Sequence, residues 1–284
     1  MSRRESAARA LAGLLYIWYA MLRVVLRLLF GRERRFYIMN KLGLHYSRVH
    51  SIILQKISNE YATLYSGVYE PHFRRIIRKA LKNGRSFIDL GAYKGLYTFY
   101  AYKVLRKKQD FKIIAVEPFP NNYRILENKI DNENIHLVKE AIWLRDNEVV
   151  KFYVENLSSD SSSLFGRVSL TKRHIIEGEG AHDAETLLVR TVRLDTLIKR
   201  FRLECVDLIK MDIEGAEYEV LTDPALDLSN VYNIIVEIHY EYNSPEFREI
   251  VEALHRHGFK VAPLYLNPTS NRHHLLAFRD KIPW

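Results

Sequence analysis

The stretch FIDLGAYKGLYTF, residues 87–99, joins a short apolar run to an acidic residue, a glycine-containing turn and the start of a helical pattern. Asp89 stands in the predicted strand, and Gly91, Ala92 and Gly95 stand in the turn that follows it. Glycines let a backbone approach a ligand closely, and a helix N-terminus favours polar or anionic groups. The spacing matches neither G-x-G-x-x-G nor the G-K-S/T of a phosphate loop. The stretch predicts a nucleotide-type binding turn, with an ordinary tight turn between strand and helix as the alternative.

Strand and helix patterns alternate along the chain around this stretch. Pro71 predicts the start of a helix that ends at Gly84, and further helices are predicted over Leu96–Lys107 and Asn121–Lys129. Short β-branched runs predict strands at Ser86–Leu90, Lys112–Val116, Ile135–Val138, Val149–Val154, Val206–Met211 and Ile234–Ile238. This alternation is typical of a parallel sheet covered by helices.

The C-terminal part of the chain departs from this alternation. Ser244 and Pro245 predict the cap and first residue of a helix that ends at Gly258. Two strand-like runs follow, Phe259–Leu266 and His273–Phe278, with a short connection between them. They predict an antiparallel hairpin at the edge of the sheet.

Acidic residues follow other predicted strands. Glu117 and Pro118 come directly after the strand that ends at Val116, and a carboxylate in that place can accept both hydroxyls of a ribose. Asp212 follows Met211 in the same way, and Glu214 and Glu217 come next. Because the carboxyl ends of parallel strands share one edge of the sheet, we expect these acids to lie close together. Glu214 and Glu217 could instead stabilise the start of a helix.

Glu237 and His239 alternate in the last parallel strand and are expected on one face of it. A histidine beside carboxylates can act as a general base for a hydroxyl, or bind a metal together with Asp212. A purely structural histidine is the alternative.

Most of the excess positive charge lies at the N-terminus. The 284-residue chain has a net charge of +9, of which residues 1–50 supply +8. The rest of the chain is nearly neutral, which argues against nucleic acid as a partner. A single cysteine, Cys205, excludes a disulfide within the chain.

Residues 10–35 combine an apolar run with basic flanks. Arg23 and Arg27 interrupt the apolar run, so its uncharged part is shorter than the roughly 18–20 residues of a transmembrane helix. We expect a helix that lies in the membrane interface, with Arg23 and Arg27 near the lipid head groups. A single membrane span, and a helix packed on the protein or used for oligomerisation, are the alternatives.

The order of these motifs resembles the FkbM-type methyltransferases, a branch of the class I S-adenosylmethionine-dependent fold. The resemblance covers roughly residues 64–240 and includes the segments 67–71, 89–95, 116–118, 138–142, 161–164, 192–197 and 210–217, together with Glu237. It implies a Rossmann-like α/β fold with a mostly parallel seven-stranded sheet and a C-terminal antiparallel hairpin. The domains are then a membrane-associating helix at 1–35, a helical extension at 36–83 and a methyltransferase domain at 84–284.

The resemblance also implies a cofactor and a reaction. S-adenosylmethionine is expected over Asp89, Gly91 and Gly95, with Glu117 on its ribose and Glu140 and Ala141 near its adenine. Similar proteins methylate hydroxyl groups, commonly of sugars or polyketides. Tyr93 and Lys94 stand where such turns often have Asn and a small or apolar residue, so the detailed contacts of the turn differ.

The expected function is O-methylation of a hydroxyl-bearing acceptor. Asp212 or His239 is expected to take the proton, with Glu237 orienting the histidine and Glu214 binding an acceptor hydroxyl. With a membrane-associated N-terminus, we expect a cytoplasmic enzyme at the membrane surface that acts on a glycan or a lipid-linked sugar. No residue is assigned to a metal alone, and a requirement for a divalent metal is left open. The alternative is a membrane-tethered binding or assembly protein that has the same fold but no catalytic activity.

Overall fold

The computed structural model describes residues 71–155, 168–169, 184–265 and 272–279. From His72 onward these residues belong to one compact unit. The predictions for residues 1–35, for 36–70 and for the serine-rich segment 158–164 lie outside the described residues. Within the described ranges, no helix combines the length and the apolar character needed to cross a membrane.

The described elements alternate between strands and helices for most of the chain. The strands are β1 (Ser86–Leu90), β2 (Lys112–Val116), β3 (Ile135–Val138), β4 (Ala141–Ile142), β5 (Val149–Glu155), β6 (Val168–Ser169), β7 (Ala184–Val192), β8 (Leu208–Met211), β9 (Asn233–Ile238), β10 (Lys260–Tyr265) and β11 (His273–Phe278). The helices are α1 (Pro71–Ala80), α2 (Leu96–Leu105), α3 (Pro120–Glu127), α4 (Leu194–Arg200), α5 (Glu217–Thr222) and α6 (Pro245–Arg256).

A seven-stranded sheet in the order β10-β11-β9-β8-β1-β2-β3 forms the centre of the fold. β9, β8, β1, β2 and β3 are parallel, and β11 is antiparallel to both β9 and β10. The predicted mostly parallel sheet with a C-terminal antiparallel hairpin is therefore confirmed. Every residue of β1 and β8 is buried, as expected for central strands with helices on both faces.

A second sheet corrects the interpretation of one strand. β5, predicted as part of the parallel sheet, pairs antiparallel with β7 over Val149–Glu155 and belongs to a four-stranded sheet in the order β4-β7-β5-β6. The alternation of apolar residues fits an antiparallel strand with one exposed face equally well, so the pattern alone did not separate the two cases. On this sheet Val149 and Leu188 are largely exposed.

The helix boundaries follow local signals in the sequence. The Ser244 side chain accepts a hydrogen bond of 3.1 Å from the Phe247 N–H, and Pro245 begins α6, as the capping pattern predicts. Gly95, with φ of 90°, precedes α2. The ring of Phe73 in α1 lies 5.6 Å from Tyr97 in α2 and 4.7 Å from His274 in β11, so α1 packs on the residues of the central sheet and its first helix.

Candidate active site

The turn after β1 is built against the ends of the two neighbouring strands. The N–H groups of Gly91 and Ala92 donate to the Val116 carbonyl at 3.0 and 2.9 Å. Gly91 has φ of +73°, and a Cβ atom there would lie 1.8 Å from the Asp212 carbonyl oxygen. Only glycine fits both this conformation and this close approach. The turn and the residues that follow β8 are therefore in direct contact.

Asp89 lies beneath this turn and is fully buried. The Thr98 hydroxyl donates a 2.6 Å hydrogen bond to Asp89 Oδ2 and so ties α2 to β1. Asp89 Oδ1 is buried and has no hydrogen-bond partner among the described residues. Burial raises the pKa of Asp89 above its ordinary value, although Lys210 opposes the shift.

Glu117 lies at the end of β2, where the sequence predicts the ribose-binding acid. Its Oε2 accepts a 2.7 Å hydrogen bond from the Tyr93 N–H, and its Oε1 accepts one of 3.0 Å from the Phe119 N–H. Pro118 between them is half-buried. Burial raises the pKa of Glu117 to about 7, against the hydrogen bonds that favour its charged form.

The predicted adenine segment follows β3 at the same edge of the sheet. The Glu117 N–H donates to the Val138 carbonyl at 3.0 Å, two residues before Glu140. Glu140 forms an ion pair with Arg200 at the end of α4. Ala141 begins β4 and packs with Phe152 of the smaller sheet. Glu140 and Ala141 thus join the two sheets beside Glu117.

The buried Lys210 and the half-buried Asp212 form an ion pair at the end of β8. Lys210 Nζ lies 3.0 Å from Asp212 Oδ2 and donates a longer bond of 3.4 Å to the Gly91 carbonyl. Burial alone would lower the pKa of Lys210, but Asp212 and Asp89 outweigh it, so the pKa is raised and the side chain stays charged. The pair anchors Asp212 next to the turn after β1.

His239, one residue after β9, lies in a cluster of four carboxylates. Its Nδ1 is 3.1 Å from Glu217 Oε1, and its Nε2 is 3.3 Å from Glu214 Oε2. Glu237 Oε1 and Asp212 Oδ1 lie 3.6 and 3.9 Å from the same Nε2. The structure therefore brings together all four residues predicted as catalytic. The carboxylate at hydrogen-bond distance from Nδ1 is that of Glu217, whereas Glu237 was the residue expected to orient the ring.

Neighbouring charges and burial shift the pKa values of the residues in this cluster in opposite directions. Burial would lower the pKa of His239, but Glu217, Glu214 and Glu237 together raise it to about 10. Burial raises the pKa of Glu214. Burial also favours the neutral form of Glu237, yet His274 and then His239 hold its pKa well below the ordinary value.

Several functional partners were not predicted from the sequence. Arg272 lies 3.6 Å from both Glu214 and Glu237, and His274 lies 3.2 Å from Glu237. Thr98, which contacts the buried Asp89, and Lys210, which contacts the half-buried Asp212, are the others. Thr98 and Lys210 adjoin predicted motifs, so their positions were a usable signal. Arg272 and His274 reach the site from β11 and the residue before it, and no local pattern indicates that.

The fold and these positions define a class of enzyme. Ligands of open parallel sheets bind outside the carboxyl ends of the strands, and here that edge has a glycine turn after β1, an acid after β2 and a polar cluster after β8 and β9. This is the arrangement of a class I S-adenosylmethionine-dependent methyltransferase.

Comparison with known proteins gives the family. Residues 89–261 match the methyltransferase FkbM domain, and the chain belongs to the FkbM methyltransferase family. Methyltransferase sdnD of Sordaria araneosa is 25% identical over 193 residues, which are 61% of this chain and 72% of that protein. The 2-O-methyltransferase NoeI of Sinorhizobium fredii is 28% identical over 151 residues, 52% of this chain and 60% of NoeI. The solved methyltransferase FkbM of Methylobacillus flagellatus aligns at 14% identity with a TM-score of 0.38, over 81% of this chain and 59% of that one.

Proposed function

We propose that this enzyme transfers the methyl group of S-adenosylmethionine to a hydroxyl group of a sugar-type acceptor. The observation that carries the proposal is the cluster of carboxylates around His239, next to the turn after β1. Carboxylates and a histidine suit the recognition of neighbouring hydroxyl groups. The similarity to NoeI, a 2-O-methyltransferase, supports oxygen as the acceptor atom.

The residues at the edge of the sheet fit the cofactor. Asp89 Oδ1, which is buried and has no hydrogen-bond partner in the part of the chain that the structure describes, is an acceptor that a cationic amino group would satisfy. Glu117 accepts two backbone hydrogen bonds and one from the Asn122 side chain, so one ribose hydroxyl can use the remaining lone pair and a second can replace Asn122. Glu140 and Ala141 lie beside Glu117, where we propose that the adenine binds.

The proposed mechanism needs an acceptor oxygen held in line with the methyl carbon. S-adenosylmethionine, when bound, supplies a methyl group whose bond to sulfur breaks with both electrons staying on sulfur. The carboxylates raise the pKa of His239 to about 10, so Asp212 takes the acceptor proton, or His239 does so in its neutral form, and an oxygen lone pair is then free to form the new bond to carbon. Glu214 and Glu237 orient the acceptor through its hydroxyl groups, and Lys210 keeps Asp212 in place through their 3.0 Å ion pair.

The test is the chemical class of the methylated product. The full chain is incubated with ¹³C-methyl S-adenosylmethionine and a panel of glycosides and the matching amino sugars, and the products are identified by NMR. We expect O-methyl products only, lost in Asp212→Asn and retained in Glu252→Gln, which removes one charge from the exposed face of α6. N-methyl products, or an unchanged rate in Asp212→Asn, would contradict the proposal.

We propose further that the acceptor is associated with the membrane, as a lipid-linked sugar or glycolipid, and that the protein acts at the cytoplasmic membrane surface. The support is the sequence of residues 10–35, whose apolar run and basic flanks suit a lipid interface. Vesicle flotation with and without anionic lipid tests this step. Equal rates on free and lipid-linked forms of one sugar, together with no vesicle binding by the full chain, would refute it.

A further inference from the structure

The cluster around His239 has more negative charge than its partners balance. Four carboxylates lie within 4 Å of the imidazole, those of Asp212, Glu214, Glu217 and Glu237. Two side chains with a permanent positive charge contact these acids, namely Lys210 and Arg272. The carboxylates raise the pKa of His239 to about 10, so an ion that binds Nε2 takes the place of a proton. With His239 and His274 neutral, the described residues of the cluster have an excess of two negative charges, which one divalent cation neutralises.

The geometry around His239 Nε2 suits such an ion. Carboxylate oxygens of Glu214, Glu237 and Asp212 lie 3.3, 3.6 and 3.9 Å from this one nitrogen. A single N–H group can donate to only one of them well. Ligand atoms about 2.1 Å from a six-coordinate ion are separated by about 3 Å when adjacent and about 4 Å when opposite. The observed separations fall in that interval.

Glu217 holds the ring from the opposite side. Its Oε1 lies 3.1 Å from Nδ1, and its two oxygens also accept the Ile213 and Gly215 N–H groups, each at 2.9 Å. A carboxylate that binds Nδ1 fixes the orientation of the ring and directs Nε2 toward the other carboxylates, as in many metal sites with histidine ligands. One oxygen each of Asp212 and Glu217 and one nitrogen of His239 lie within 4.8 Å of one another. Glu217 is nevertheless not counted as a ligand, because its hydrogen bonds hold it on the Nδ1 side of the ring.

Asp212 supplies an independent indication. Its Oδ2 pairs with Lys210, whereas its Oδ1 is buried and makes no hydrogen bond to any described residue. A buried carboxylate oxygen without a partner is costly, and coordination of a cation removes that cost. This same oxygen faces His239 Nε2.

We propose that His239 Nε2 and Asp212 Oδ1, together with Glu214 and Glu237, bind a divalent cation such as Mn²⁺ or Zn²⁺. Mixed imidazole and carboxylate ligands suit these ions. The ion's part in catalysis rests on the proposed function: it holds and polarises the acceptor hydroxyl beside the cofactor. As a ligand, His239 binds the ion instead of accepting the proton.

The binding test uses Mn²⁺ alone, without cofactor or acceptor. The full chain is titrated with Mn²⁺, and the free ion is measured by electron paramagnetic resonance. We expect one bound ion per chain in the wild type and in Glu252→Gln, at least tenfold weaker binding in His239→Gln and Asp212→Asn, and competition by Zn²⁺. Glu237→Gln, which changes a third proposed ligand, should also weaken binding. Circular dichroism of every variant separates the loss of a ligand from the loss of the fold. A folded wild type that leaves Mn²⁺ free up to millimolar concentrations, or folded variants that bind as the wild type does, would overturn the proposal.

The catalytic part has its own readout. Chelation should abolish methyl transfer, and added Mn²⁺ should restore it, while S-adenosylmethionine binding measured by calorimetry stays within about threefold. Methyl transfer that persists in a chelator rejects the part of the metal in catalysis and leaves the proposed function intact. Absence of transfer to any hydroxyl acceptor, with Mn²⁺ bound, rejects the proposed function and leaves the metal site intact.

Discussion

The ionisation of Glu117 should make the stability of the protein and its affinity for the cofactor change with pH in opposite directions. The pKa of this buried carboxyl is raised to about 7 from an ordinary 4.5. Its protonated form is therefore favoured by folding. The stability that this provides is present below the ordinary pKa and is lost as pH rises through the folded value.

The magnitude follows from the two pKa values. From about pH 5 to about pH 8, the ionisation of Glu117 should lower the free energy of unfolding by about 2.5 kcal/mol. Glu117→Gln removes this titration, so the stability difference between variant and wild type should shift in favour of the variant by that amount. Gln has one acceptor oxygen fewer than Glu, so the variant loses a hydrogen bond from the Tyr93 or the Phe119 N–H. This loss is the same at both pH values and cancels when the two are compared.

The affinity for S-adenosylmethionine should follow the ionised form. The ionised fraction of Glu117 rises about tenfold between about pH 6 and about pH 8, so the Kd should fall by up to that factor. Urea denaturation measures the stability, and calorimetry measures the Kd, each for the wild type and Glu117→Gln. If the free energy of unfolding or the Kd changes with pH in Glu117→Gln as it does in the wild type, the reasoning is refuted.

Three further substitutions test the framework around the site, each by urea denaturation. Thr98→Val removes the side-chain hydrogen bond of the buried Asp89 carboxylate, which also accepts one from the Thr98 backbone, and should cost about 1–3 kcal/mol, with weaker cofactor binding; an unchanged midpoint would contradict this. Arg193→Lys keeps the charge that faces Asp223 but loses the planar guanidinium group that also donates to the carbonyls of Leu144 and Ala225. It should lower the free energy of unfolding by about 1–3 kcal/mol, and an unchanged midpoint would mean that the charge alone stabilises this contact. Ser244→Ala removes the cap of α6 and should cost about 1 kcal/mol without changing the Kd for the cofactor; a changed Kd would connect this helix to the site.

The sequence predicted the central sheet well because its parallel strands are continuous apolar runs that alternate with capped helices. β1, β2, β3 and β11 have the predicted bounds. β9 begins one residue earlier than predicted, and β10 is one residue shorter at each end. β7 had no prediction, and β5 was assigned to the wrong sheet. Their pairing joins distant parts of the sequence, from Val149 with Arg190 to Glu155 with Ala184, and period-two patterns do not specify such pairs.

The candidate site was predictable where acids directly follow strands. Asp212, Glu237 and His239 meet because parallel strands bring their carboxyl ends to one edge, a rule that depends on topology alone. The contribution of Arg272 depends on the antiparallel placement of β11 beside β9, which aligns His274 with Glu237. The role of Glu217 depends on the turn at Gly215, whose N–H it accepts. Such contacts follow from packing and not from spacing in the sequence.

The turn after β1 is the central element of the account, and calorimetric titration with S-adenosylmethionine tests it most directly. The full-length wild type is compared with Gly91→Ala and with Gly258→Ala, since both glycines have positive φ but only Gly91 approaches the end of β8. We predict saturable binding of one cofactor per chain in the wild type and in Gly258→Ala, and loss of binding in Gly91→Ala. No binding by the folded wild type, or equal binding by a folded Gly91→Ala, would contradict the assignment of the cofactor to this turn.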